Sequence, residues 1–250
     1  MSKVTLESHG DVRVLTLDSP EHLNALNWSL LDSIKSAVKN IEEDRDARAL
    51  VVTGAGRAFC AGADLETVFG DRTRPIRVLR DQLKAMYESF LGIVELSIPT
   101  VAAVNGPAVG AGLNIALACD LIITSPKATL APTFSSIGLH PGGGCTWLLN
   151  QRIGPALTKK ILFDGQSLDA DTALALGISQ EINDDPLARA IEIASNWAGK
   201  SPTVMRDIKS SVAIARDGSL EESVDFEALA QADSLRSAEF ELFISRFTGS

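Results

Sequence analysis

Apolar and polar residues alternate through Val4–Leu17, broken at His9-Gly10-Asp11, which predicts two strands joined as a hairpin. After the turn-rich SPEHLNALN, Leu30, Ile34, Ala37, Val38 and Ile41 fall on one stripe of a helix over 29–41. ARALVVTGAG (47–56) is a short continuous apolar run ending in glycine, as a strand buried on both faces requires. CAGADLETVF follows as a tight turn into a short helix or irregular segment. From Pro75 to Leu96, Ile76, Leu79, Leu83, Met86, Phe90, Ile93 and Val94 mark a long amphipathic helix.

The pattern then returns: IPTVAAVNGPAVGAGLNIALACDLIIT (98–124) reads as buried strand, glycine-rich turn, short helix and strand. ATLAPTF and the loop FSSIGLHPGGG follow, leading into CTWLLNQRIG and PALTKKILFDG. Asp169 suits the N-cap of ADTALALG, with Gly177 as its stop. ISQEI (178–182) reads as the last strand, and helices take up the rest. The recurring strand-turn-helix unit predicts an α/β protein with a spiral core over residues 1–185 and a helical arm over 186–250. A generic doubly wound sheet is the alternative.

Charge narrows the function classes. The net charge of −9 over 250 residues argues against a nucleic-acid surface, and Arg72, Arg74, Arg77 and Arg80 read as a solvated helix face. No apolar run approaches the ~20 residues that span a bilayer, and the N-terminus lacks an apolar signal core. Cys60, Cys119 and Cys145 are odd in number and far apart, which fits reduced thiols of a cytoplasmic protein, not metal ligands or disulfides.

The candidate chemistry lies in the glycines. GAGRAFCAGADL (54–65) and NGPAVGAGLN (105–114) each end a buried strand and open toward a helix. Small residues there let backbone approach a ligand, and unpaired N–H groups at a helix start point outward. Two such donors aimed at one oxygen make an oxyanion hole; tight turns needed only for packing would look the same. GAGRAF puts Phe59 where a dinucleotide fingerprint needs its third small residue. Neither GxxxxGK[ST] nor GxSxG occurs.

SPEHLNALN, GAGRAFCAGADL, VNGPAVGAGLNIALACDL and FSSIGLHPGGGCTW resemble, in order and spacing, the four signature blocks of the crotonase (enoyl-CoA hydratase/isomerase) superfamily. The resemblance covers roughly residues 3 to 247. It implies a crotonase-like spiral ββα core, a C-terminal helical arm used in a trimer or dimer of trimers, and acyl-CoA thioester substrates. Coenzyme A would enter as part of the substrate, with no metal or redox cofactor. By position, the amides of Ala63 and Ala111 would polarise the thioester carbonyl and stabilise an enolate. CoA and acyl contacts would fall on His22, Leu23, Arg57, Ala61, Asp64, Leu65 and Phe134.

The chain departs from that pattern at the acid/base positions. The two hydratase glutamates correspond to Asn114 and Phe134, and the aspartate of an isomerase-type GL-x-PD loop corresponds to Gly142. No Asp or Glu occurs between Asp120 and Asp164. Asn, Phe and Gly do not hold a transferable proton at neutral pH as a carboxylate does. His140, in the same loop, is the candidate acid/base, since imidazole as a side chain exchanges its proton close to neutral pH; lining the acyl pocket or bonding its own loop is the alternative. Asn114 is a candidate orienter of water or substrate, or simply a replaced glutamate. Ser135, Ser136, Asp64, Glu66 and Asp71 are weaker candidates. The end at TGS suggests fewer C-terminal CoA contacts unless Lys209 or Arg216 substitutes. The expected function is isomerase-type or other non-hydratase chemistry on acyl-CoA. A non-catalytic acyl-CoA shuttle and an acyl-CoA hydrolase or decarboxylase are the alternatives.

Overall fold

The computed structural model describes residues 3–248; Met1, Ser2, Gly249 and Ser250, and with them most of the TGS end, lie outside the described residues. Strands β1 (Lys3–His9) and β2 (Val12–Asp18) form the expected antiparallel hairpin, with His9 opposite Val12. β3 (Ala49–Gly54), β4 (Thr100–Val104), β6 (Leu121–Thr124) and β9 (Glu181–Ile182) extend it in parallel, in the order β1-β2-β3-β4-β6-β9. β5 (Ala108–Val109), β7 (Thr129–Ala131) and β8 (Leu168–Asp169) make a second small sheet. The last strand is shorter than the apolar run 178–182 suggested. Only Glu181 and Ile182 pair with β6, while Ile178 turns into the core.

Period-2 alternation divides the large sheet between two cores. Leu15, Leu17, Leu50, Val52, Ala102 and Val104 face one side; Val12, Val14, Ala49, Val51, Val101 and Ala103 face the other. The first side is covered by α1 (Trp28–Glu43) and α3 (Ile76–Glu95). α1 buries the predicted stripe and is capped by Asn27, whose side chain accepts from Leu30 N. The short α2 (Leu65–Phe69) and α4 (Ala111–Leu117) follow the two glycine-rich turns. α5 (Cys145–Asp164) is broken at Gly154 (φ 72°) and Pro155, matching the two segments read from sequence. α6 (Ala170–Ala175) is capped by Asp169, as expected.

The second core is closed by α7 (Pro186–Ala198), whose Ala190 and Ala194 pack on the sheet. The helical C-terminal segment therefore opens with a helix that belongs to the sheet's own packing. α8 (Pro202–Asp217), α9 (Leu220–Ser234) and α10 (Ala238–Thr248) follow. Lys209 and Arg216 dock α8 on the core. Lys209 Nζ lies 2.9 Å from an Asp120 carboxylate oxygen, and the Arg216 guanidinium stacks 4.5 Å from the Trp147 ring centroid. No helix among the described residues is long and apolar enough to cross a membrane.

Candidate active site

The site is assembled by backbone crossings between loops. Asn24, fully buried, holds two of these loops together. It accepts from Ser19 N at 2.9 Å, and its amide donates to Ala55 O and Ala58 O at 2.9 Å and to Phe59 O at 3.2 Å. It and Leu23 adopt left-handed backbone (φ 57° and 53°), uncommon for non-glycine residues and costly for a bulky one. The turn is held in that shape by Leu23 N donating to Pro20 O and by Ala61 N donating to Leu23 O at 2.9 Å. His22 and Leu23 thus lie directly beside Ala61.

A parallel bridge then joins Leu26 to Ala63: Leu26 N donates to Gly62 O at 2.7 Å, and Asp64 N donates to Leu26 O at 3.0 Å. In such a bridge the flanking peptides are consumed, and Ala63's own N–H is turned to the opposite side. The second donor arises differently. Gly110 N bonds Ala131 O at 2.9 Å, and α4 starts at Ala111, whose N–H belongs to the first helical turn and has no intrahelical acceptor. Among the described residues neither the Ala63 nor the Ala111 N–H has a protein acceptor. The two turns are pressed together: a Cβ on Gly62 (φ 92°) would lie 2.6 Å from Val109 O and 3.8 Å from Ala111 N. A Cβ on Gly112 would lie 2.3 Å from Cys60 O. These glycines are what permit the approach. Only one donor sits at a helix start; the other is freed by strand-like pairing, which differs from the helix-start origin expected for both.

Around this pair, Asn114 is fully buried and donates from Nδ2 to Gly142 O at 2.8 Å. Its Oδ1 is buried with no partner among the described residues. Leaving a buried acceptor unpaired costs about 1–3 kcal/mol. The Phe134 ring lies over Gly110, where a glycine Cβ would be 3.9 Å from Cζ. The position expected for a glutamate is therefore occupied by an apolar wall beside Ala111.

The remaining sequence candidates fall into place around this centre. Asp64 caps α2, accepting from Glu66 N and Thr67 N at 3.2 Å, and Leu65 is exposed at its first turn. Arg57 is exposed, with its carbonyl packed where a Gly106 Cβ would be 2.2 Å away. Ser135 and Ser136 tie the loop to the end of α5, donating to Leu162 O and Gly165 O at 2.7 Å. Asp71 accepts from Thr73, whose hydroxyl and amide hold its carboxyl below the usual range. Glu66 is exposed. Lys209 is engaged by Asp120, and Arg216 by Asp217 and Trp147. His140 is exposed, its Nδ1 2.8 Å from Pro141 O, so Nδ1 carries the proton in that bond and Nε2 is left as the acceptor. The described hydrogen bonds place His140 on its own loop and not against Asn114. The three cysteines are buried free thiols, with burial pushing each up to about 12.

Sequence reasoning missed Tyr87, the chain's single tyrosine. It sits on α3 one place beyond Met86 of the predicted stripe, half-buried. Its hydroxyl lies 2.3 Å from where a Cβ on Gly142 would stand, with the Gly143 N–H nearby. Burial pushes the phenol above its ordinary value, partly offset by that N–H. An aromatic hydroxyl at the edge of an apolar stripe was the available signal. Asn24, in an otherwise loop-like NALN, offered none beyond its residue type.

A two-core α/β sheet carrying two interlocked glycine-rich turns is the crotonase architecture, and solved structures agree. An enoyl-CoA hydratase from Polaromonas superposes with a TM-score of 0.91 at 27% identity, over 99% of this chain and 97% of that one. An enoyl-CoA hydratase from Bacillus anthracis gives 0.91 at 26% identity, over 99% and 96%. The family model for enoyl-CoA hydratase/isomerase matches residues 7–248, and the chain belongs to that family. Its curated relatives include a probable enoyl-CoA hydratase of Mycobacterium tuberculosis, 39% identical over 95% of this chain and 94% of that protein. The 1,2-epoxyphenylacetyl-CoA isomerase of Escherichia coli is 34% identical over 94% and 91%.

Proposed function

We propose that this chain binds acyl-CoA thioesters and stabilises a thioester enolate with the N–H groups of Ala63 and Ala111, in isomerase-type or other non-hydratase chemistry. The observation that carries this reading is the pair of unpartnered, interlocked amides, beside which Asn114, Phe134 and Gly142 supply no carboxylate. Donors fixed in a site of low polarity stabilise developing oxyanion charge with no reorganisation during the reaction. Water addition needs a group that takes a proton from water, and none of those three residues can. The unpaired Asn114 Oδ1 would accept from a polar hydrogen of the bound substrate. His140 Nε2 serves as the acid/base of the loop, and His22, Leu23, Arg57, Ala61, Asp64 and Leu65 form the CoA side.

Exposed Ile208, Val212, Leu220, Leu229 and Leu242 on α8–α10 support a homo-oligomer built through the arm, a trimer or dimer of trimers. The protein would work in the cytoplasm. The test is mass spectrometry of saturated, 2-enoyl and 3-enoyl CoA thioesters incubated with the protein in D₂O. Deuterium at the α-carbon or a shifted double bond is expected. His140→Ala is expected to lower that rate about 100-fold with acyl-CoA affinity kept. Added water would overturn the non-hydratase reading, and tight binding with an unchanged panel would favour a shuttle. Turnover confined to loss of the acyl group or of CO₂ would point to a hydrolase or decarboxylase.

A further inference from the structure

Side chains of α3 and α4 pack against the loop 138–144. Tyr87 reaches from α3 to place its hydroxyl against Gly142, in the volume a side chain there would fill. Its ring is also the neighbour of Gly143, where a Cβ would lie 3.5 Å from Cδ1 and 2.6 Å from Asn114 Nδ2. Asn114 in turn stands one helical turn beyond Ala111 and holds Gly142 O. Tyr87 and Asn114, the latter three residues from Ala111, therefore both pack against the Gly142–Gly143 backbone. The Tyr87 hydroxyl is a titratable oxygen set against the loop 138–144, which contains no carboxylate. A phenol hydroxyl carries a hydrogen that it can donate.

We propose that Tyr87 is a catalytic residue, the donor that returns a proton to the enolate carbon. This rests on the enolate reading above. The Oη–H bond breaks as the new C–H bond forms. The enolate's electron pair makes that bond while the thioester C=O is restored at the Ala63 and Ala111 amides. The pair left on Oη is a phenolate facing Gly143 N–H, and water reprotonates it. His140 takes the proton removed at the other carbon and releases it to the hydroxide left when water reprotonates Oη, so the protons balance with no oxidant or metal. Burial favours the neutral phenol and so keeps the donor loaded at working pH.

The experiment compares wild type, Tyr87→Phe and the pair Tyr87→Ala and Tyr87→Ala/Gly142→Asp by deuterium incorporation from D₂O into enoyl-CoA thioesters. Acyl-CoA affinity is measured in parallel. Tyr87→Phe removes one oxygen and keeps the ring. It is expected to lower incorporation about 100-fold or more while affinity changes by less than about 3-fold, a loss confined to the chemical step. In the double variant the ring that blocks Gly142 is gone and a carboxylate enters its space. Incorporation is expected to recover about 10-fold over Tyr87→Ala. Wild-type exchange retained within about 3-fold in Tyr87→Phe overturns the role of Tyr87 and leaves the enolate reading intact. A double variant no better than Tyr87→Ala assigns the loss to packing and also overturns it. A wild type that binds acyl-CoA but neither exchanges nor moves a double bond overturns both.

Discussion

Gly62→Ala tests the cradle most directly. Gly62 has φ 92°, a region that favours glycine, and an alanine Cβ would stand 2.6 Å from Val109 O. Neither backbone segment is free to yield. Val109 N is bonded to Cys60 O at 2.9 Å, Gly110 N to Ala131 O at 2.9 Å, and Gly62 O to Leu26 N at 2.7 Å. The displacement must fall on the Gly62–Ala63 peptide or on the Val109–Ala111 turn, and each carries one donor. Strain at such a φ costs about 1–3 kcal/mol of stability. Misplacing one oxyanion donor typically costs about 10²–10³ in rate. Gly177→Ala is the control: φ is 78°, yet a Cβ there meets nothing within 4 Å. It should lose comparable stability in a denaturant titration and keep its exchange rate within about 2-fold. Gly62→Ala should lose both, with the rate loss measured at saturating acyl-CoA on protein shown to be folded. Equal exchange rates in the two variants would refute the assignment of the amides.

Asn24→Ala removes the bonds that its side chain makes to the carbonyls of Ala55, Ala58 and Phe59 and accepts from the amide of Ser19. A loss of about 3 kcal/mol or more is expected from chemical unfolding, with acyl-CoA binding weakened through the adjoining His22–Leu23 turn; an unchanged midpoint would contradict it. Asp44 is held below the usual carboxylate range by its hydrogen bond from the buried Arg13. A depressed folded pKa stabilises above the unfolded value and is lost as pH falls through the folded one. Stability followed from pH 5 to pH 3 should therefore fall less steeply in Asp44→Asn than in wild type, and parallel acid limbs would show that the pair contributes nothing.

Much of the fold was legible because its signals are local. The 4–17 alternation, the α1 stripe, the continuous apolar run of β3 and the Asp169 cap each report a conformation that a few neighbouring residues decide. The last strand was overread because Ile178 is apolar for a different reason: it fills the core beneath the sheet and does not extend β9. His140 stood out in sequence as a titratable group in a glycine loop, yet its ring nitrogen is bonded to the neighbouring Pro141 carbonyl at the surface. Its exposure is fixed by how the whole loop lies on α3 and α5.

The sequence by itself determined the sheet's two-sided core, the two glycine-rich turns and the absence of a carboxylate from 121 to 163, since periodicity, residue size and composition are properties of a single stretch of chain. Tertiary structure alone decided that Leu26 pairs with Ala63 and so frees its amide, that Phe134 covers Gly110, and that Tyr87 fills the space over Gly142. These pairs are separated by 24 to 55 residues (26 to 63, 110 to 134, 87 to 142). No local preference encodes them. They exist because burying both faces of the sheet brings distant turns to one edge, where only glycine is small enough to let them touch.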